Sequence, residues 1–380
     1  MLCAAGALGA IGSTVAAGVA ALNLKPTVFG QSLITCPGVG NRLLSHRADF
    51  PPLEKTWYSG WDVRNSSLSS ALRTNRTVQL ETERYLAAEL NRMEVFEAPD
   101  PQETLGSQVN AIEKDLVQLK GRYPGLSPVL VNLLPASGAD PPDVTSLDQL
   151  MRVRGADYAD WAYFVAALQT QTPFVNFTSN PVEMQFLAEL AESEGVPVCG
   201  RDGKTGQTFF KILIASGLAS RRITIDGWYS LNILGNADGS NLSNESRARH
   251  KLSNKTDLLE KALGYPVGEQ YGESTHKVRI DYYPPRGDSK EAWDVVDLVG
   301  FLGEPMSLRI NLQGKDSVLA APIVIDLGRI LAALKRRGRG GLISELSFFF
   351  KRPMGEHPSF TYEDQLRDLK GLLASIEEAN

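Results

Sequence analysis

Cysteine is scarce: Cys3, Cys36 and Cys199 are all that 380 residues contain. They are too few and too scattered for a disulfide framework or a thiolate metal site, so a reducing cytoplasm is the expected compartment and no metal is expected. The four histidines form neither a metal-ligand spacing nor a triad pattern, and no G-x-S-x-G, H-E-x-x-H or Walker loop occurs. A basic excess is missing as well. Net charge is −5 with both signs spread along the chain, which excludes a dedicated nucleic-acid binder, since that needs a cationic stripe to neutralise phosphates. The basic run "LKRRGRGG" reads as a solvated helix end and turn. The one uninterrupted apolar stretch long enough to span a bilayer is the opening "MLCAAGALGAIGSTVAAGVAALNL", which has no positive leader, reaches its first basic residue at Lys25, and is built of Gly and Ala rather than Leu and Phe. That argues against a secretory signal or an anchor, and no membrane partner is expected. No internal repeat is apparent.

What is present fits a soluble globular chain: 43% hydrophobic and 22% charged residues, with length for two domains or one domain carrying an insertion. The first half alternates strand and helix. "MLCAA" reads as a strand, "GALGAIGS" as a glycine turn and "TVAAGVAALN" as a helix. Residues 37–75 read as irregular. "SQVNAIEKDLVQLKGRY" has a clear helical period, and "SPVLVNLLPAS", "PFVNFTSN" and "VPVCG" read as buried parallel strands separated by helices. The character then changes to alternating, β-branched segments: "RRITIDGWYSLNILG", "HKVRIDYYPPRGDS", "AWDVVDLVGFLG" and "MSLRINLQG". After them, "SVLAAPIVIDLGRILAALKRR" is apolar nearly all round and reads as a buried helix. The pattern predicts an α/β domain with a mainly parallel sheet, interrupted by a β-rich, mostly open-sheet insertion near 208–318, to which the C-terminal helices return.

Two features carry chemistry. In "GALGAIGST", Gly6, Gly9 and Gly12 lie between a strand and a helix start, where free N–H groups and the helix dipole favour a phosphate. The spacing departs from G-x-G-x-x-G, and no acidic residue precedes Asp49 to hold a ribose; the nearest suitable carboxylate is Asp62 in "GWDV". The second feature is lysine. Lys251 and Lys255 stand one helical turn apart after a polar loop containing Asp238, bordering a stripe of Leu252, Leu259 and Leu263. Such a pair repels itself on a helix unless the face is solvated or an anion lies between. Lys290 in "RGDSKEAWD" and Lys351 in "LSFFFKRPM" sit in similarly patterned stretches, and Asp202, Asp238, Asp288 and Asp316 follow apolar runs, where carboxylates hold lysines or sugar hydroxyls, or cap helices.

In this order, "GALGAIGSTVAAGV", "GWDV", "GRDGKTGQT", "LNILGNADGSNLS", "HKLSNK", "GDSKEAWD", "KDSVLAAPIVIDL" and "FFFKRP" resemble the inositol-1-phosphate synthase family over nearly the whole chain. The resemblance implies a Rossmann-type NAD-binding domain (1–207 and 319–380) interrupted by an α+β catalytic and oligomerisation domain (208–318), assembled as a homotetramer. It also implies an isomerase whose sugar-phosphate substrate is oxidised at C5, closes a carbocycle by aldol attack from C6, and is then reduced again. By family position the active-site lysines are Lys251, Lys255, Lys290 and Lys351. Lys251 and Lys351 would stabilise or protonate the reacting oxygens, Lys255 and Lys290 would bind phosphate or carbonyl, and Asp202 and Asp316 would orient lysines or the nicotinamide end. The implied NAD site comprises Gly6, Gly9, Ala10, Ile11, Gly12, Ser13, Asp62, Asn132, Asp238 and Asp288. The implied substrate site adds Gln207, Asn236 and Asn241 to Lys251, Lys255 and Lys290.

Several positions depart from the family pattern. Ala237 replaces an asparagine, Leu231 and Ile233 replace a tyrosine and a histidine, Lys315 replaces an acidic residue, and Leu8 replaces a glycine of the nucleotide loop. The lysine framework survives while neighbours able to read sugar hydroxyls change. Glucose 6-phosphate to inositol phosphate is the leading expectation. Fructose 6-phosphate to a five-membered cyclitol phosphate, for a carbocyclic nucleoside-type pathway, is its rival. A non-catalytic NAD-binding homologue and a plain dehydrogenase releasing NADH stand behind them.

Overall fold

A computed structural model describes residues 1–36, 50–244, 247 and 257–377. Its larger sheet has seven strands, every neighbour parallel: β1 (Leu2–Ala5), β2 (Tyr58–Asp62), β3 (Val95–Glu97), β4 (Val129–Asn132), β5 (Phe174–Asn176), β6 (Pro197–Gly200) and β13 (Gly341–Leu342). The order β13-β6-β5-β4-β1-β2-β3 contains the doubly wound 3-2-1-4-5-6 arrangement, and its direction reverses between β1 and β4. Strands buried on both faces need apolar side chains throughout, which is why β1 and β4 read as continuous runs in the sequence.

Each face of that sheet has its own core. On one, the helices Ala10–Leu24 and Asp316–Arg336 pack together, burying Val15, Val19, Leu22, Val324, Leu327 and Leu331. On the other, the helices Leu105–Arg122 and Ala159–Gln169 bury Ile112, Leu116, Trp161 and Phe164. Each such aliphatic residue stabilises the fold by roughly 1.5–3 kcal/mol. Among the described residues, Asp316–Arg336 alone is long and apolar enough to cross a bilayer, yet 78% of its apolar window is buried inside the protein. Its two interior charges are satisfied locally. Asp326 accepts from the backbone N–H groups of Ile34 and Thr35 at 3.0 Å, and Arg329 donates to the carbonyl of Thr35 at 2.8 Å.

The second sheet has four strands, β10-β7-β11-β12: β7 (Thr224–Leu234), β10 (His276–Tyr282), β11 (Ser289–Val299) and β12 (Pro305–Lys315). A two-residue pair, β8 (Glu269–Gln270) and β9 (Glu273–Ser274), precedes β10. Helix Gln207–Ser220 covers one face, packing Ala215 against Trp228 and Val296. The other face is open, as the alternating pattern requires.

Two elements correct the sequence reading. Strand β2 and helix Leu68–Asn75 lie inside the stretch read as irregular. "YSGWD" shows neither alternation nor a β-branched run, because it is buried on both faces and Gly60 is pressed against β1, where an added Cβ would come within 2.1 Å of the Ala4 carbonyl oxygen. Nothing local announces such a strand.

Candidate active site

The reversal point between β1 and β4 opens into a cavity of about 670 Å³ whose walls come from both sheets. Gly6 follows β1 with φ +84, a conformation that disfavours any side chain, and its backbone N–H donates to the Trp61 carbonyl at 2.9 Å. Helix Ala10–Leu24 starts at Gly9 without a side-chain cap, so its first N–H groups remain available to an anion. A Cβ on Gly12 would sit 2.5 Å from the Ala7 carbonyl oxygen and 2.7 Å from that of Gly6. The turn therefore closes tightly enough to bring backbone against a ligand, despite its irregular spacing.

Asp62 ends β2 beside this turn, the place of the ribose-reading carboxylate in doubly wound sheets. It accepts from Leu8 N at 2.8 Å, and Arg64 donates to it through Nε at 2.8 Å and a terminal nitrogen at 2.9 Å. Burial pushes its carboxyl up, but the Arg64 and Leu8 hydrogen bonds outweigh that and hold it below the usual carboxylate range. Leu8, standing where the family has glycine, thus contributes through its N–H.

Two lysines meet carboxylates across long stretches of chain. The loop after β6 runs beside residues 349–354, with Lys351 N donating to the Asp202 carbonyl at 2.8 Å. Lys351 Nζ reaches Asp202 Oδ1 at 2.6 Å, both side chains buried. On the second sheet, Lys290 pairs with Gly314 and Ser289 with Lys315, so the next residue, Asp316, opens its helix beside Lys290. Lys290 Nζ lies 3.0 Å from Asp316 Oδ2, and Thr205 Oγ1 donates to Asp316 Oδ1 at 3.1 Å. Asp202, Asp316, Lys290 and Lys351 all line the cavity.

The other predicted residues divide. Gly6, Gly9, Ala10, Ile11, Gly12, Asp62, Gln207, Asn236, Asp238 and Asn241 line the cavity. Ser13, Asn132 and Asp288 stand one layer back. Ser13 Oγ bonds its own helix at the Gly9 carbonyl. Asn132 Nδ2 donates to Asp160 Oδ1 at 2.6 Å and to Asn176 Oδ1 at 3.1 Å. Asp288 accepts from Asn236 Nδ2 at 3.0 Å and from the Ser317 hydroxyl. Lys251 and Lys255 lie outside the described residues.

Of the departures, Ala237 lines the cavity, but Leu231 and Ile233 do not. They lie half-buried on the face of β7 opposite Ser230, Asn232 and Leu234. The expectation that Ile233 alters a sugar-hydroxyl contact is corrected by this alternation. Lys315 also turns away, donating to the Arg76 and Thr77 carbonyls at 2.9 Å each.

The sequence reading passed over Asp160 and Lys204. Asp160 lines the cavity at the ends of β4 and β5 and also accepts from Asn180 Nδ2; burial pushes its carboxyl up to about 6 against the hydrogen bonds of Asn132 and Asn180. Lys204, inside the quoted "GRDGKTGQT", is buried behind Lys351 with Nζ on Gln365 Oε1 at 2.5 Å. Burial, then the charge of Lys351, pulls its amine down to about 7. Between that value and the ordinary lysine range, the unfolded chain binds a proton that the folded chain does not, so stability falls as pH drops through the window. From pH 9 to pH 7, the wild type should lose on the order of 2 kcal/mol relative to Lys204→Met. Urea titrations check this, and equal pH dependence of the two proteins would remove it.

Residues 206–317, which include Gln207, Lys290 and Asp316, match the family model described as myo-inositol-1-phosphate synthase. The chain is 39% identical over 209 residues to inositol-3-phosphate synthase 1 of Bacteroides thetaiotaomicron, covering 52% of this chain and 48% of that protein. It therefore spans about half the length of that curated relative. Among solved structures, inositol-3-phosphate synthase of Caenorhabditis elegans superposes with a TM-score of 0.82 at 20% identity, covering 99% of this chain and 84% of that one. A protein named Ari2 superposes at 0.69 with 25% identity, covering 99% and 98%. Family match, relative and fold converge on one likeness: residues 206–317 match the myo-inositol-1-phosphate synthase family model, and the chain is similar to inositol-3-phosphate synthases in sequence and in fold.

Proposed function

We propose that this protein is an NAD-dependent cyclase of a hexose 6-phosphate, converting D-glucose 6-phosphate to 1D-myo-inositol 3-phosphate by intramolecular oxidation, aldol closure and reduction. The observation that carries the reading is that two carboxylate-held lysines face the same cavity as the glycine cradle. The cradle fits NAD, since its close turn leaves room for backbone but for no Cβ at Gly12. Asp62 would take the adenosine ribose, with Ala10, Ile11 and Asp238 beside the cofactor and Ser13, Asn132 and Asp288 supporting from behind. When bound, NAD supplies a reversible hydride acceptor.

The chain's own residues would do the rest. Oxidation at C5 and enolate formation both place negative charge on oxygen, and a fixed ammonium in a cavity with little water stabilises it strongly. Lys351, held by Asp202, and Lys290, held by Asp316, are such groups. Lys251 and Lys255 would complete the set around phosphate and carbonyl, with Gln207, Asn236 and Asn241 reading the sugar. A lysine of lowered basicity would pass the C6 proton. The division at 207/208 and 318/319, a cytoplasmic location and a homotetramer belong to the same proposal. The open face of the four-stranded sheet, with Tyr229 and Trp293 exposed, supports the assembly.

Ala237 in the cavity wall favours a second reading, in which fructose 6-phosphate closes a five-membered carbocycle. Incubation with substoichiometric NAD and either sugar, followed by phosphorus and carbon NMR, decides between them. An inositol phosphate from glucose 6-phosphate is expected. A five-membered product from fructose 6-phosphate would transfer the assignment, net NADH accumulation would make the protein a plain dehydrogenase, and no product from either sugar would favour a binding-only homologue.

A further inference from the structure

Behind the cavity wall lies a buried carboxylate that the chemistry above does not use. Asp294 is in the middle of β11, opposite Ser230 of β7. Among the described residues, three groups donate hydrogen bonds to it. Trp228 Nε1 donates to Oδ1 at 2.7 Å, Ser230 Oγ to Oδ1 at 2.5 Å, and Gln207 Nε2 to Oδ2 at 2.8 Å. Lys211, one turn after Gln207 on the same helix, places its ammonium 4.9 Å from the Trp228 ring centroid and balances the charge. Such a site suits an ionised carboxylate, which only accepts.

That has a consequence for Gln207, which is buried and lines the cavity. A side-chain amide is a donor at one end and an acceptor at the other, and it turns over at little cost unless a neighbour decides. Asp294 decides. It can be satisfied only by the NH2 end, so the Oε1 end is left for the cavity, and no described residue donates to it. A wall that offers a carbonyl oxygen takes a hydroxyl as its partner.

We propose that Asp294 is a positioning residue that sets the hydrogen-bonding polarity of the substrate pocket, holding Gln207 so that its carbonyl oxygen accepts from a hydroxyl of the bound sugar phosphate. The inference rests on the hexose-phosphate reading above. It adds that specificity for a hydroxyl donor is built two residues deep.

The test uses near-isosteric exchanges. In Asp294→Asn, Oδ1 still accepts from Trp228 and Ser230, but Nδ2 now points at Gln207, whose amide must turn its NH2 end into the pocket. Gln207→Glu combined with Asp294→Asn restores an acceptor in the pocket, a matched hydrogen bond behind it and the original net charge. Affinity for glucose 6-phosphate and fructose 6-phosphate is measured calorimetrically on the NAD-loaded protein, with NAD affinity and thermal midpoint as controls. Asp294→Asn should weaken the preferred sugar phosphate about tenfold, and the double variant should return to within about threefold of wild type, with NAD affinity unchanged throughout. A merely structural role would lower the midpoint and NAD affinity together and would not be rescued. Unchanged sugar affinity in Asp294→Asn, or a double variant no better than the single, overturns the inference alone. If wild type binds neither sugar, the hexose-phosphate reading fails and takes the inference with it. If Asp294→Asn does not fold, the double variant decides: affinity near wild type supports the role, and a loss of about tenfold or more refutes it.

Discussion

Lys351→Ala should lower cyclisation by about a thousandfold or more while leaving NAD affinity nearly unchanged. The side chain is buried, its ammonium is fixed 2.6 Å from Asp202 Oδ1, and it borders the cavity that the glycine turn also lines. A donor placed before reaction stabilises developing oxyanion charge without reorganising, whereas water entering an emptied site must reorient. Truncation also takes from Asp202 its buried ammonium partner, and breaking a buried pair from one side costs about 3–5 kcal/mol of stability. The two effects separate in Asp202→Asn/Lys351→Met, which removes both charges of the pair. That variant should recover much of the stability and none of the activity. Product formation by NMR and urea unfolding supply the readouts. Wild-type turnover by Lys351→Ala would end the assignment of Lys351 to the reacting oxygens.

The second large effect is expected at the cradle. Gly12→Val should weaken NAD binding at least a hundredfold, about 2.7 kcal/mol. Its Cβ would stand 2.5 Å from the Ala7 carbonyl oxygen, and that atom is main chain, so it cannot swing aside as a side-chain tip would. The turn has to open, pulling Gly6 and Ala7 off their shared contact with the Trp61 carbonyl, which both reach at 2.9 Å. Leu8 N then loses its register with Asp62, so phosphate cradle and ribose carboxylate fail together. Fluorescence titration of NAD, with circular dichroism to establish folding, is the measurement. A folded Gly12→Val that binds NAD as tightly as wild type would show that the pyrophosphate sits elsewhere.

What could be read from the sequence was local. The glycine turn depends on residues within one short segment, so the turn itself was legible even with irregular spacing. Asp62 was picked out as the nearest suitable carboxylate after the turn, in "GWDV", although its strand was not recognised. The alternating segments of the second sheet were legible because one face is open, and period-two patterning survives only where one face meets solvent. Strand β2, buried on both faces, carries no such pattern.

Pairing was decided by tertiary structure. Lys351 and Asp202 are 149 positions apart and meet only because the C-terminal segment returns along β6. Nothing in the sequence singled out Lys204, whose burial behind Lys351 makes its charge costly. Which departures touch the cavity could not be read from their positions, since Ile233 and Leu234 are neighbours in sequence and opposite in space. The polarity of Gln207 belongs to the same class: an amide has no inherent direction, and its orientation follows from a carboxylate 87 positions away that only the packed sheet brings within 2.8 Å. By itself the sequence determined the parts that depend on backbone conformation and periodicity, namely the glycine turn and the two kinds of sheet. The folded chain alone decided which charge faces which, because Coulomb and hydrogen-bond energies depend on separations and burial that no spacing along the chain encodes.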